Sequence, residues 1–401
     1  MTVKQIYELM NTVTGEVLGK TDLVAEDLSN VVDVGTEVFN ATAVDNYVKT
    51  LVNHLGKVIF VNRPYSGKIP SVLMDSWEFG SVLEKISCDT PAAEENESWD
   101  LVDGQEYKQD IFYKPTVSAK FFNSKVTFEV PMSFTEKQVK ESFSNAAQLN
   151  GFISMIYNAV DRSMTIKIDG LVMRTINSMI AQTLNADKTA FTGGYGTAST
   201  ARCVNLLKLY NDKFFPATGS AANPDALTAD KAIYDPDFIR FASYTMGVYV
   251  DRLASISTLF NVGGKDRFTD ANNLHVIMLS DFAKGADVYL QSDVRHNEMT
   301  RLPNYETVPY WQGSGQNYEF DSTSAINVKI DASTTVDIDG IVGVMFDRDA
   351  LGVSNLDRRV TTAYNAKAEF FNNYYKFDAG YFNDTNENFV VFFVSDAKTA
   401  G

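Results

Sequence analysis

The chain has 401 residues, of which 45% are hydrophobic and 21% charged, a globular balance that excludes general disorder. Its net charge of −16 is the wrong sign for a protein whose main task is gripping phosphates. The two cysteines, Cys88 and Cys203, lie far apart, which excludes a disulfide framework or metal knuckle and suits a reducing cytoplasm.

The length is a soft prior for two or three domains, or one domain with large insertions. The opening MTVKQIYELMNTVTGEV lacks the long apolar core of a signal peptide. No run approaches the roughly 18 apolar residues that a membrane helix needs.

Residues 1–62 read as short amphipathic helices. In VDNYVKTLVNHLGKVIF, Val44, Val48, Leu51, Val52 and Leu55 share one helical stripe, which Asn62-Arg63-Pro64 stops. In PTVSAKFFNSKVTFEV the period changes to two. Val117, Ala119 and Phe121 share a face, and after a slip at Phe122-Asn123-Ser124 so do Val126, Phe128 and Val130. The slip predicts a bulge or tight turn. Upstream, SVLMDSWEFGSVLEKISC supplies partner strands for a long hairpin. Between them, Asp89 to Asp110 carries eight acidic residues and one Lys. It is a solvated loop, or a charged tip that reaches another subunit.

Residues 135–186 predict one very long helix. Val139, Phe143, Ala147, Leu149, Ile153, Ile156, Val160, Met164, Ile168, Leu171, Ile176, Met179 and Leu184 form its apolar face. Ser133 or Thr135 would cap it, with Glu136 in the first turn, and a kink is expected near Gly151 or Asp169-Gly170. Its heptads are too loose for a coiled coil. Gly/Ser/Thr/Pro-rich breaks follow. Beyond them come a helix begun by Asp235-Pro236, a buried strand NLHVIMLS, a helix from Ser280 or Asp281, and strands AINVKID and GIVGVMF. The C-terminal part is β-rich: RRVTTAYNAKAEFF, NNYYKFDAGYF and, after a turn, NENFVVFFVS. This is an α+β layout without a regular β-α-β alternation or an internal repeat.

Chemistry-bearing motifs are sparse. His54, His275 and His296 are scattered, and His275 inside an apolar strand reads as a satisfied core histidine. GGYG at 193–196 is not a dinucleotide fingerprint, and neither a phosphate loop nor a nucleophile elbow occurs. VDIDG lacks the ligand ladder of a calcium loop. Asp347-Arg348-Asp349 closes a strand without a partner base or nucleophile at recognisable spacing, so it reads as a structural corner. No catalytic, cofactor-binding or metal-binding residue is assigned, and no cofactor is expected.

Two stretches carry a resemblance. KVTFEVPMSFTEKQVKESFSN resembles the passage from extended loop into spine helix in tailed-phage coat proteins. DGIVGVMFDRDALGV with RRVTTAYNAKAEFFNNYYKFDAGYFND resembles their return from axial to peripheral domain. The order of parts is similar over nearly the whole chain. The chain thus resembles a major capsid protein of a tailed bacteriophage, a shell fold shared with encapsulins and herpesvirus capsids.

The resemblance implies an N-terminal arm at 1–62, an extended β-hairpin loop at 63–131, a peripheral domain with the long spine helix at 132–199 and 351–401, and an axial domain at 200–350. It implies self-assembly as hexamers and pentamers into an icosahedral shell around packaged DNA, held without sequence-specific binding. Scaffolding, portal and decoration proteins are the implied further partners, with no membrane. A scaffold would be separate, because 60 residues are too few for a built-in one. The implied location is the virion capsid, assembled in the host cytoplasm. An encapsulin-like compartment, another phage structural protein and an enzyme with an unrecognised site are the alternatives. One expectation is sharper: the acidic segment, with Glu94, Glu95, Glu97, Trp99, Asp100 and Asp103, contacts a neighbouring subunit.

Overall fold

The structure is a computed structural model that describes residues 3–19, 24–40, 47, 50–51, 69–74, 83–91, 93, 95–107, 110, 112–217, 223–291, 305–312 and 319–396. Along the described chain run strands β1 (Leu73–Met74), β2 (Leu83–Cys88), β3 (Val117–Phe122), β4 (Lys125–Thr135), β5 (Cys203–Asn205), β6 (Leu274–Leu279), β7 (Glu306–Val308), β8 (Ile326–Lys329), β9 (Thr335–Ile338), β10 (Ile341–Asp347), β11 (Leu351–Asn365), β12 (Phe370–Asn383) and β13 (Phe389–Phe393). The helices and sheets form two compact units. The first is Met1–Ser81, Lys125–Val172 and Val353–Gly380. The second is Val82–Ser124, Met173–Gly352 and Tyr381–Gly401.

In the first unit, helix α1 (Val3–Leu18) buries Ile6, Leu9, Met10 and Val13, and α2 (Val31–Asn40) buries Val31 and Val34. Leu51 is buried as its stripe predicts. Val44, Val48, Val52, Leu55 and the stop at Asn62-Arg63-Pro64 lie outside the described residues. The unit's sheet has the order β1-β11-β12-β4. Its backbone is a long antiparallel ladder from Thr135↔Phe370 to Lys125↔Gly380. Strand alternation puts Phe371, Tyr375 and Phe377 on one face, opposite Phe134, Val130 and Phe128, and Phe134 meets Phe152 edge-on at 5.5 Å. Leu73 and Met74 pair in parallel with β11, so this part of the expected hairpin partner joins a different sheet.

Strand β4 runs straight into helix α3 (Glu136–Ser142). Thr135 caps it: its side chain accepts from Gln138 N at 3.2 Å, and its own N–H donates to Gln138 Oε1 at 2.9 Å. Ser133 instead donates to Asn372 Oδ1. The expected single helix breaks at 143–145, not at Gly151 or Gly170. Phe143 is buried; its ring lies 6.2 Å from that of Tyr47, and a Cβ on Gly35 would come within 2.6 Å of its own Cβ. Asn145 restarts the helix, its Oδ1 accepting from Gln148 N at 2.8 Å. Helix α4 (Ala146–Ala186) then runs 41 residues, about 60 Å at the usual rise. Of the predicted face, every member except Ala147 is buried.

The second unit centres on a sheet of order β5-β13-β10-β6-β7. Strand β13 and nearly all of β10 are buried, consistent with their unbroken apolar runs. Helix α5 (Leu206–Phe214) packs on α6 (Pro236–Leu253), and α6 on α7 (Ser280–Gln291). Asp235 caps α6, accepting from Phe238 N at 2.7 Å with Pro236 in the first turn. Trp311 is core: its Nε1 donates to Ile341 O and its carbonyl accepts from Asn177 Nδ2, each at 2.7 Å.

Candidate functional site

The second unit also holds the hairpin of β2 and β3, whose ladder runs from Leu83↔Phe122 to Cys88↔Val117. Strand alternation sorts its side chains onto two faces. Glu84, Ile86 and Cys88 share the outer face with Val117, Ala119 and Phe121, and all are exposed. Ile86 is 66% exposed and Phe121 62%, unusual for large apolar groups and so informative.

The connection between the strands continues that surface. Trp99 is 94% exposed and Phe112 85%. Glu95, Asp100 and Asp103 are exposed beside them, and Glu97 sits in the short turn Glu97–Trp99. Glu94 lies outside the described residues. Between Asn96 and Tyr107 the connection makes local bonds: Ser98 N donates to Asn96 Oδ1, and Val102 N to Tyr107 Oη. The segment thus presents an acidic, aromatic surface.

The inner face is docked on its own unit. Phe122 meets Phe382 at 5.1 Å. Lys85 and Lys120 stand directly opposite each other in the ladder. Like charges so placed repel. The turn between β12 and β13 answers them: Lys85 Nζ lies 3.1 Å from Asp384 and 2.8 Å from Glu387, and Lys120 Nζ lies 2.9 Å from Asp384. Arg267 Nε pairs with Glu387 from behind at 3.2 Å. Where the connection leaves β2, Lys265 pairs with Asp89 at 2.6 Å.

The turn itself is held rigidly. Asp384 N donates to Ala350 O at 2.7 Å and Gly263 N to Thr385 O at 2.9 Å. The approach at Gly263 is close enough that a Cβ there would overlap the Asn386 side chain. Burial opposes the charge of Asp384, yet the hydrogen bonds from Lys120, Asn386 N and Lys85 outweigh it and hold its carboxyl below the usual range. Burial likewise opposes the Lys85 ammonium, and Glu387 and Asp384 overcome it, raising its pKa.

Asp347-Arg348-Asp349 is one wall of this anchor. Asp347 accepts from the Thr269 hydroxyl at 2.7 Å and from Asp349 N at 2.9 Å; Arg348 N donates to Asn273 O, and Asp349 O accepts from Lys85 Nζ at 3.2 Å. The triplet is a structural corner. His275 differs from expectation. Its ring lies 5.8 Å from that of Phe346, but its buried Nε2 has no hydrogen-bond partner among the described residues, and burial lowers its pKa. Among the described residues no group of three His, Cys, Asp or Glu side chains could hold a metal, and no helix is long and apolar enough to cross a membrane.

Sequence reasoning missed Lys85, Lys120, Asp384 and Glu387. The available signal was a lysine at a covered position in each hairpin strand, and two acids within the tight turn NDTNEN.

No curated protein matches the chain in sequence. A chain in the capsid structure of Staphylococcus phage Andhra is similar in fold, with a TM-score of 0.51 at 8% identity, over 84% of this chain and 87% of that one. A chain in the capsid structure of the cyanophage P-SCSP1u has a TM-score of 0.45 at 10% identity, over 84% of this chain and 92% of that one. A family model described as Phi29-like phage major capsid protein matches residues 10–393. With that match over nearly its whole length, on a fold like that of a phage capsid subunit, the chain belongs to the Phi29-like phage major capsid proteins.

Proposed function

We propose that this chain is the repeating subunit of an icosahedral phage head, assembling as hexamers and pentamers through its hairpin and the acidic connection beyond it. The observation that carries this reading is the hairpin's bare apolar face: Ile86, Val117 and Phe121 lie in solvent on a strand pair whose other face is docked. A neighbouring copy would bury that face, and closed symmetry would repeat the contact around each ring.

In this reading residues 1–62 are the N-terminal arm, 63–131 the extended loop, 132–199 and 351–401 the peripheral domain, and 200–350 the axial domain. Glu94, Glu95, Glu97, Trp99, Asp100 and Asp103 contact the neighbour. The shell forms in the host cytoplasm with scaffolding, portal and decoration proteins as further partners. It encloses DNA without sequence-specific binding, and the net charge of −16 limits sticking to the packaged strand. The role is structural and not catalytic.

Light scattering and negative-stain microscopy on the purified chain, with and without its neighbouring genes co-expressed, test the reading. Closed shells or six- and five-membered rings are expected; a monodisperse monomer under both conditions overturns it. Reversing charge at Glu94, Glu95 and Glu97 should impair assembly and leave the subunit folded. Normal shells from that triple variant would remove the acidic segment from the interface.

A further inference from the structure

The Lys85–Lys120 pair is a peculiar choice for a hairpin that must hold its shape. Two ammonium groups directly across a two-stranded ladder weaken it, and such a ladder is marginal on its own. Its outer apolar face is uncovered among the described residues, so burial on that side adds nothing to it. Beyond the ladder itself and the 2.9 Å bond between the Ser87 and Ser118 hydroxyls across it, what holds the hairpin comes from below: Phe122 on Phe382, and the two lysines on Asp384 and Glu387. The charges facing this junction are Lys85 and Lys120 from the hairpin, Asp384 and Glu387 from the turn, Arg267 behind Glu387, and Asp347-Arg348-Asp349 on the adjoining wall; Lys265 and Asp89 pair where the connection leaves β2.

We infer that Asp384 and Glu387 form an ionic latch that makes hairpin order conditional on docking: closed, it neutralises the lysine pair and holds the hairpin in one pose; open, the lysines drive the strands apart and the hairpin becomes a free arm. The rest of the second unit is independent of the latch, because β10 and β13 are buried in their own sheet. The hairpin is thus a separately switchable part, drawn from the low-stability end of the molecule. Its relevance to assembly rests on the reading above, since the same element that is latched inside bears the uncovered face outside.

The test is hydrogen exchange on the full-length, unassembled chain, comparing amides of Leu83–Cys88 and Val117–Phe122 with those of β10. In Asp384→Asn/Glu387→Gln the hairpin amides should exchange at least ten-fold faster, with β10 unchanged. Adding Lys85→Met and Lys120→Met should restore hairpin protection, because the repulsion that the acids offset is gone. Unchanged hairpin exchange in the first variant overturns the latch, as does a quadruple variant whose hairpin stays exposed. If the first variant loses β10 protection as well, the quadruple variant and the wild-type chain decide. On acidifying the wild-type chain, hairpin protection should fall before that of β10; simultaneous loss overturns the inference. The readout is independent of shell formation. A variant with a released hairpin that still builds normal shells would therefore sink the assembly role of the hairpin and leave the latch standing.

Discussion

Two strand pairs in this protein follow the same alternating rule and come to opposite ends. Between β4 and β12, the apolar positions Val130, Phe134, Phe371, Tyr375 and Phe377 are buried. Between β2 and β3, the apolar positions Ile86, Val117 and Phe121 stand in solvent, and the charged positions Lys85 and Lys120 face inward. A period of two specifies a strand with two unlike faces. Which face is covered depends on what else is present, and for the hairpin the described residues supply a charged bed and one aromatic contact, Phe122 on Phe382. The comparison teaches that alternation alone does not say which face is buried: the hairpin's apolar face is bare among the described residues.

The comparison breaks most readily at Phe377, which is 1% exposed and rings with Phe128 at 5.1 Å. Phe377→Ala should destabilise the subunit by about 3–5 kcal/mol in urea unfolding. Next comes the charged bed. Asp384→Asn should cost the docked hairpin about 1.5–3 kcal/mol near neutral pH, the usual worth of hydrogen bonds to a charged group, read as faster exchange of the hairpin amides. The pH dependence follows from the pKa directions. The Asp384 carboxyl is held below its usual 3.8, so its stabilising contribution is complete above that pH and is lost as acid protonates the folded state. The Lys85 ammonium is raised above its usual 10.5, so its contribution is complete below that pH and is lost only as alkali deprotonates the folded state. Hairpin exchange rates of wild type and Asp384→Asn should therefore converge on acidification below about pH 3.8.

Smaller again is Thr135→Ala at the junction of β4 and α3, expected to cost about 1 kcal/mol as a lost N-cap, read as a shift in the thermal midpoint. The smallest effect on the subunit sharpens the comparison most. Phe121→Thr should change unfolding by no more than about 0.5 kcal/mol, because the side chain is already in water, yet prevent normal shells by light scattering. The same asymmetry can be read with a thiol reagent. Cys88 is exposed on the bare face and Cys203 is buried, its thiol pushed up by burial. One thiol per chain should react in the unassembled subunit and none in the shell.

Local pattern made much of this legible. The helix face from Val139 to Leu184, the Thr135 cap, the Asp235 cap and the strand alternation are all short-range signals. The class of protein followed from the order of parts. What stayed hidden was decided by distant residues. The helix breaks at 143–145, where buried Phe143 meets Tyr47 and Gly35 from the N-terminal segment. The lysine bed joins positions some 264 residues apart in sequence, from Lys120 to Asp384. The aromatic exposure of Trp99 and Phe112 was equally beyond composition, since the same residues fill cores elsewhere in the chain.

The facing lysines also have a consequence for how the hairpin is made. Sliding β3 by one residue against β2 would turn Phe121 toward Asp384 and carry Lys120 out to the bare face, because each step along a strand exchanges its two sides. A carboxylate 2% exposed would then confront a phenyl ring. The turn at 384–387 thereby favours the native register, because a hairpin slipped by one residue has no seat on it.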